Sequence, residues 1–133
     1  MVCVHCGGKT QVINSRAQKR LNQVWRRRRC LVCQAIFTTE EVTSYPLSWS
    51  VRRPTAHVEP FLRDKLFLSL YQSCQHRKTP IEDAEALTAT VIKSLLGMVR
   101  NGLLDNHQIS RAAQVALARF DKAAAVHYAA FHK

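Results

Sequence analysis

The chain has 133 residues and a mass of 15.1 kDa, enough for one ordinary domain or two small ones and too few for an eight-stranded α/β barrel enzyme. Lysine and arginine number 20 against 9 acidic residues, which gives a net charge of +11 and favours a polyanionic partner, with nucleic acid ahead of an anionic membrane surface. Neither a secretion signal nor a stretch of roughly 18 apolar residues is recognised, so we expect a cytoplasmic protein with no membrane partner.

The charge is concentrated in the first part of the chain. Residues 1–53 hold ten Lys or Arg and two Glu, whereas residues 54–133 hold ten basic and seven acidic side chains. The first part is rich in Cys, Arg and β-branched residues, and the second is rich in Leu and Ala. We therefore predict an α+β fold with two domains, a β-rich one over residues 1–45 and a mostly helical one over residues 46–133.

Four of the five cysteines form two Cys-x-x-Cys pairs, Cys3 with Cys6 and Cys30 with Cys33. Two intervening residues let both thiolates of a pair face one ion, and four thiolates complete the tetrahedral site that Zn²⁺ favours. We predict one structural zinc ion per chain, because four protein ligands leave no open position for a catalytic water. Disulfides, a redox Cys-x-x-Cys and His5 as a replacement ligand are the alternatives; a reducing compartment and the matching pairs disfavour the first two.

Short strands are predicted over residues 10–13, 24–29 and 35–39, where β-branched or aromatic residues cluster, so the first domain is predicted to be a zinc ribbon. The arginine run 26–29 lies on the second strand, which should place two guanidinium groups on each face of the sheet. With Arg16, Lys19, Arg20 and Trp25 the run forms a predicted cationic surface that can neutralise phosphates and reach guanine edges. A solvated charge run is the alternative.

The pattern after residue 53 is helical. Apolar residues at three- and four-residue spacing predict four helices: about 62–76, from Thr79-Pro80 to a C-cap at Asn101-Gly102, from Asp105 or Asn106 to Phe120, and about 121–131. Residues 47–53 and 57–58 are expected to form a small sheet or cover over this four-helix bundle. Cys74 is predicted to be a buried thiol and not a nucleophile. The chain has no glycine-rich phosphate loop, so a nucleotide site would have to use side-chain cations.

These motifs resemble a known family. The first Cys-x-x-Cys pair, Val-Ile-Asn-Ser-Arg at 12–16, the arginine run joined to the second pair, and Phe-Thr-Thr-Glu-Glu at 37–41 are similar to the zinc ribbon of the NrdR family, bacterial repressors of ribonucleotide reductase genes. Residues 51–53, 59–61 and 64–66, with the ending 117–131, resemble the ATP-cone, the adenine-nucleotide-sensing domain of the same family. The resemblance covers nearly the whole chain.

The resemblance implies a nucleotide-responsive, DNA-binding transcriptional repressor that is not an enzyme. It implies ATP or dATP as effector, a homo-oligomer whose state follows the nucleotide, and double-stranded operator DNA as partner in the bacterial cytoplasm, with nucleoid association when bound. The positions that match the family's DNA-binding residues are Arg16, Arg26, Arg27, Arg28 and Arg29. In the cone, Val51 and Arg53 would touch the base or phosphates, Glu59 would orient the site, and Lys65 would meet phosphate charge.

The chain departs from the family pattern at three places. Asn14 stands where an Asp is usual, Arg53-Pro54-Thr55-Ala56 replaces a Lys-Arg-Asp-Gly turn, and Ala125 and His127 replace an aromatic residue and an arginine. A second hypothesis is therefore a zinc ribbon that binds RNA or protein, with the helical half as an oligomerisation or docking scaffold whose nucleotide site has decayed. A third, a small metal-dependent enzyme, is disfavoured by the closed four-thiolate site.

Overall fold

The structure is a computed structural model that describes residues 1–132. The chain forms two compact units, Met1–Thr43 and a second unit that begins at Ser44. The first unit is built on a β-sheet and the second is mostly helical with a small sheet, so the predicted α+β class is confirmed. Among the helices of residues 1–132, none is both long and apolar enough to cross a membrane.

The first unit is a three-stranded antiparallel sheet in the order β1-β2-β3. Its strands are β1 (Thr10–Gln18), β2 (Gln23–Cys30) and β3 (Ile36–Glu41). All three predicted strands are present, and β1 extends five residues further than predicted. A bulge in β1 shifts its register against β2 between Val12 and Asn14. The shift places Val12 opposite Arg28 and Asn14 opposite Arg27.

The first unit has almost no buried apolar side chain. Within residues 1–43 only Cys3 and Cys30 are buried. Large apolar side chains on its strands are open to solvent, for example Val12 with 44% of its surface exposed and Ile36 with 43%. A sheet of this size without a hydrophobic core needs another source of stability, which in small domains is commonly a metal ion or disulfides.

The second unit contains five helices within its described residues: α1 (Tyr45–Ser48), α2 (Arg63–Ser73), α3 (Pro80–Leu96), α4 (Asn106–Phe120) and α5 (Lys122–Phe131). The one-turn helix α1 was not predicted. The four longer helices correspond to the predicted ones and pack along the expected apolar stripes, with Leu70, Leu95 and Leu117 fully buried. Cys74 is also fully buried, as predicted, and burial raises the pKa of its thiol.

A small sheet covers part of this helical core, in the order β5-β4-β6. Its strands are β4 (Ser50–Arg52), β5 (Val58–Pro60) and β6 (Leu103–Asp105). β4 runs antiparallel to β5 and parallel to β6. The sequence analysis anticipated β4 and β5 but not β6, because three residues between two helical patterns give no periodicity to recognise.

The predicted C-cap at Asn101-Gly102 is wrong, because α3 ends at Leu96. Asn101 and Gly102 have φ values of 52° and 72° and form a turn in which the Leu103 N–H donates to the Arg100 carbonyl at 2.9 Å. Positive φ at both central positions is the conformation that Asn-Gly favours in tight hairpin turns. A Cβ at position 102 would lie 2.7 Å from the Ser48 carbonyl oxygen, so the glycine serves a close backbone approach beside β4.

Asp121 fixes the corner between α4 and α5. Its carboxylate accepts hydrogen bonds from the Ala124 N–H at 2.9 Å, from Arg77 Nη1 at 2.8 Å, and from His76 Nε2 at 3.1 Å. The Ala124 N–H, followed by the two side chains, holds the pKa of Asp121 well below its usual value. The stability that these contacts supply is present above the ordinary carboxyl pKa and is lost as the pH falls below it.

The turn between β4 and β5 lies where the resemblance described above led us to expect a glycine. The Arg53 N–H donates to the His57 carbonyl at 2.8 Å, and the Ala56 N–H donates to the Arg53 carbonyl at 2.9 Å. Ala56 has a φ of 63°, in the left-handed region that disfavours a residue with a Cβ. The turn is therefore formed without glycine, at a conformational cost.

Substituting Ala56→Gly should raise the free energy of unfolding of the second unit by about 0.5–1 kcal/mol, because relief of the left-handed strain exceeds the extra chain entropy of glycine. Urea unfolding followed by helical circular dichroism measures the change. Ala86→Gly, the same change at an exposed position inside α3, should lower stability by about 1 kcal/mol. A loss of stability in Ala56→Gly would contradict the strain assigned to this turn.

Candidate functional site

The first unit brings all four paired cysteines to one point. Each offers one sulfur, and the four sulfurs lie within 4.8 Å of one another. The Sγ atoms of Cys3 and Cys33 are 3.7 Å apart, and those of Cys6 and Cys30 are 3.5 Å apart. A tetrahedral zinc ion with Zn–S bonds of about 2.3 Å requires sulfur separations of about 3.8 Å. The donor set and its spacing therefore fit a structural Zn²⁺ and are too wide for disulfide bonds.

Backbone amides donate to three of the four clustered sulfurs. The N–H groups of His5 and Gly8 donate to the sulfurs of Cys3 and Cys6 at 3.3 and 3.4 Å. In the second pair, the N–H groups of Val32 and Cys33 both donate to the Cys30 sulfur, at 3.3 and 3.4 Å. The Cys33 amide is the main reason why the pKa of Cys30 is lowered to about 6. His5 thus contributes its amide to the site, and its imidazole is not among the four clustered ligands.

The sheet of the first unit sorts the predicted DNA-binding arginines onto its two faces. Along β2, Arg26 and Arg28 are half-buried whereas Arg27 and Arg29 are exposed, which confirms the predicted alternation. The register places Arg16 of β1 directly opposite Trp25, two residues before Arg27. One face therefore holds Arg16, Arg27 and Arg29, and we call it the open face. The other holds Arg26 and Arg28, and we call it the paired face.

Arginines on the paired face are committed to contacts within the sheet. Arg26 donates from Nη1 to Ser15 Oγ at 2.9 Å and from Nη2 to Glu41 Oε2 at 2.8 Å. Arg28 Nη1 lies 3.4 Å from Thr10 Oγ1, and its Nε is shielded from solvent without a hydrogen-bond partner in residues 1–132. These two side chains brace neighbouring strands, so they are less available to an external anion.

The open face carries unpaired cations around an aromatic ring. Arg16, Arg27 and Arg29 form no side-chain hydrogen bond or ion pair with another residue of the described chain. This face carries a cavity of about 330 Å³, which is lined by Asn14, Ser15, Arg16, Trp25, Arg27 and Thr38. Three guanidinium groups on one face, with no ion-pair partner in residues 1–132, form a positive surface that suits a polyanion.

All four residues predicted to bind nucleotide line a single cavity in the second unit. It has a volume of about 180 Å³ and lies between the small sheet and the helices α2, α4 and α5. Val51 is buried in its wall, whereas Arg53, Glu59 and Lys65 bring charge to it. Enclosed sites for drug-sized ligands are usually larger, about 300–1,000 Å³, so this cavity has room for only part of a nucleotide.

Glu59 is the hub of the charged groups in this cavity. Its Oε1 accepts hydrogen bonds from Arg53 Nε and from Lys65 Nζ, both at 2.9 Å, while Arg53 Nη1 donates to Asn106 Oδ1 at 2.8 Å. Lys65 first, and Arg53 next, hold the pKa of Glu59 below its ordinary value. Arg53 and Lys65 thus share one carboxylate, and the three side chains together keep a net positive charge.

The sequence analysis missed the helical wall of this cavity. The wall is formed by Ser69 of α2, Asn106, Ile109 and Ser110 of α4, Tyr128 of α5 and His132. The imidazole of His132 stacks on the Tyr128 ring, with centroids 4.1 Å apart. The three- and four-residue spacing of Asn106, Ile109 and Ser110 was the available signal, since it places them on one helix face. His127, named above as a departure, instead lies 3.1 Å from Ser73 Oγ.

Comparisons with known proteins give matches to the first unit and to the full length of the chain. A family model described as the N-terminal domain of NrdR-like transcriptional repressors matches residues 1–41. A relative named transcriptional repressor NrdR from Heliobacterium modesticaldum is 30% identical over 100% of this chain and 87% of its own length. Another from Tropheryma whipplei is 30% identical over 100% of the chain and 88% of its length. A third, from Symbiobacterium thermophilum, is 37% identical over 71% of the chain and 63% of its length.

Replacing one clustered cysteine, as in Cys30→Ser, should abolish tight zinc binding. The first unit should then unfold, because its sheet has no apolar core that could stabilise it without the metal. Zinc content per chain by elemental analysis and tryptophan fluorescence measure the two effects. Cys74→Ala changes the fifth cysteine, which lies outside the cluster, and should keep one zinc ion per chain. Equal zinc content in both variants would refute the four-cysteine assignment.

Proposed function

Because the chain belongs to the NrdR family of transcriptional repressors, we propose that it represses transcription by binding double-stranded operator DNA and that ATP or dATP controls this binding. The target genes that the family resemblance implies are those of ribonucleotide reductase. The observation that most strongly supports DNA binding is the open face, where Arg16, Arg27 and Arg29 share one side of the sheet and have no ion-pair partner among the described residues. In this proposal the protein works in the bacterial cytoplasm, associated with the nucleoid when bound to DNA.

DNA binding is assigned mainly to the open face. Its three guanidinium groups meet phosphates or the O6 and N7 edge of guanine, as arginine does in many DNA complexes. Arg26 and Arg28 act indirectly, by bracing β1 and β3 against β2 so that the open face keeps its shape. Zinc supplies the cross-link that holds the two cysteine turns together. A family of repressors and a closed four-thiolate site both support the prediction that the protein is not an enzyme.

Nucleotide sensing is assigned to the cavity of the second unit. Val51 contacts the apolar part of the ligand, and Arg53 and Lys65 meet its phosphates at the mouth, since the cavity encloses only part of a nucleotide. Phosphate oxygens compete with Glu59 for these two cations. Binding therefore rearranges contacts that join β4, β5 and α2. The rearrangement can control repression only if the nucleotide binds the DNA-competent homo-oligomer more tightly than other assemblies.

Arg27→Ala should weaken binding to duplex DNA and lower the slope of log affinity against log salt concentration by about 1, because one phosphate contact is lost. Arg26→Ala is the matched control on the same strand, since its side chain is committed to Glu41 and Ser15. Fluorescence anisotropy over a salt series measures both. Equal slopes for both variants would contradict the assignment to the open face, and stronger competition by single-stranded RNA than by duplex DNA would favour the RNA-binding alternative.

Lys65→Ala should lower the affinity for ATP and dATP at least about 10-fold, because a charge-assisted phosphate contact is removed. Calorimetry with each nucleotide measures the affinity, and light scattering in the same solutions measures the change of assembly. Lys78→Ala removes an exposed lysine outside the cavity and should bind as the unmodified chain does. Absence of nucleotide binding by the unmodified chain would refute the sensing role and leave the second unit as a scaffold.

A further inference from the structure

Trp25 is a large aromatic residue on β2, directly before the arginine run. It pairs across the sheet with Arg16 on one side and Glu40 on the other. The residue keeps 37% of its surface exposed and forms part of the 330 Å³ cavity of the open face. The other tryptophan, Trp49, is buried in the second unit against Tyr45 and Phe61. Trp25 therefore stabilises no hydrophobic core and is available to a ligand.

The groups around Trp25 are of the kinds that bind a nucleobase. A tryptophan ring offers a stacking surface that every base can use. Asn14 Oδ1 accepts a hydrogen bond from the Ser15 N–H at 2.8 Å, which leaves the amide NH₂ free to donate. The Thr38 hydroxyl has no hydrogen-bond partner within residues 1–132 and lines the same cavity. The Trp25 ring can stack on the face of one base, while the Asn14 amide and the Thr38 hydroxyl can form hydrogen bonds with its edge.

Charge sets the direction in which such a base would enter. Arg16 lies opposite Trp25 on β1, and Arg27 lies two residues after Trp25 on β2. Glu40 lies opposite Trp25 on the other side, on β3. Phosphates are attracted to the two guanidinium groups and repelled by the carboxylate. These charges favour a sugar-phosphate backbone along the β1 side of the sheet, with its base directed toward Trp25.

We propose that the cavity of the open face binds one nucleobase turned out of the helical stack, with its face on Trp25. A base within a duplex has both faces covered by its neighbours and presents only its edges in the grooves. Only an unstacked base can lie flat on the ring, and unstacking is easiest where a base is unpaired. The inference rests on the proposed DNA-binding function and adds that the ribbon prefers DNA with a locally unstacked base.

The test uses the zinc-loaded full chain carrying Trp49→Phe, so that Trp25 is the single tryptophan. Three DNA probes share one sequence: a paired duplex, the duplex with one unpaired adenine, and the duplex with an abasic residue in place of that adenine. At one salt concentration, the unpaired adenine should raise affinity about 10-fold over the paired duplex and quench Trp25 fluorescence. The abasic probe should lose both effects, because it has no base to stack.

Variants at position 25 separate stacking from a structural role. Trp25→Ala should bind the unpaired-adenine probe about 10-fold more weakly and the abasic probe unchanged, while Trp25→Phe should keep most of the preference. Zinc content and the salt dependence should stay the same in both. Equal affinity for the paired and unpaired probes, or equal weakening of all three by Trp25→Ala, would overturn the inference while leaving DNA binding intact. Failure to bind any probe at low salt would overturn both the inference and the proposed function.

Discussion

The four-sulfur cluster is the constraint on which the first unit depends. In residues 1–43 only two side chains are buried, and both are ligands of this cluster. The strands are joined by backbone hydrogen bonds, but a three-stranded sheet with apolar residues exposed on it cannot offset the chain entropy of folding alone. A metal ion held by both cysteine turns supplies the missing free energy. Because the faces of the sheet do not have to form a hydrophobic core, they can carry arginine, asparagine and tryptophan side chains in contact with solvent.

Pairing of charges distinguishes the two roles that cations have in this protein. Arg26 and Arg77 are each held by carboxylates and link neighbouring elements. Within residues 1–132, Arg16, Arg27 and Arg29 have no such partner, so an anion on this face would lower the repulsion among them. The cavity of the second unit is intermediate, because Arg53 and Lys65 share one carboxylate. In the proposed function an incoming phosphate replaces that partial pairing, so ligand binding is coupled to the contacts among β4, β5 and α2.

Local sequence patterns predicted which helices and strands form more accurately than they predicted the residues where those helices and strands end. The stripes of α2 to α5 and the three strands of the first unit were recognised because side-chain periodicity reports burial directly. Asn101-Gly102 was misassigned because a helix C-cap and a tight hairpin turn both favour residues with positive φ. The distinction depended on Ser48, which comes within 2.7 Å of where a Cβ would be and is remote in sequence. Ala56 shows the reverse case, because a residue with a Cβ takes a positive φ in a turn where glycine was expected.

Sequence reasoning alone identified the clustered cysteines, the α+β class and the basic first unit, because cysteine spacing, periodicity and charge are local properties. It also indicated which four residues would meet in the second unit, through a resemblance that extends over the whole chain. Which arginines lack a partner within residues 1–132 depends on the folded sheet, because strand register and the β1 bulge assign each arginine to a face and bring Arg26 to Glu41. The helical wall around Tyr128 and His132 was likewise decided by packing, because residues more than sixty positions apart converge there through helix contacts that no local pattern encodes.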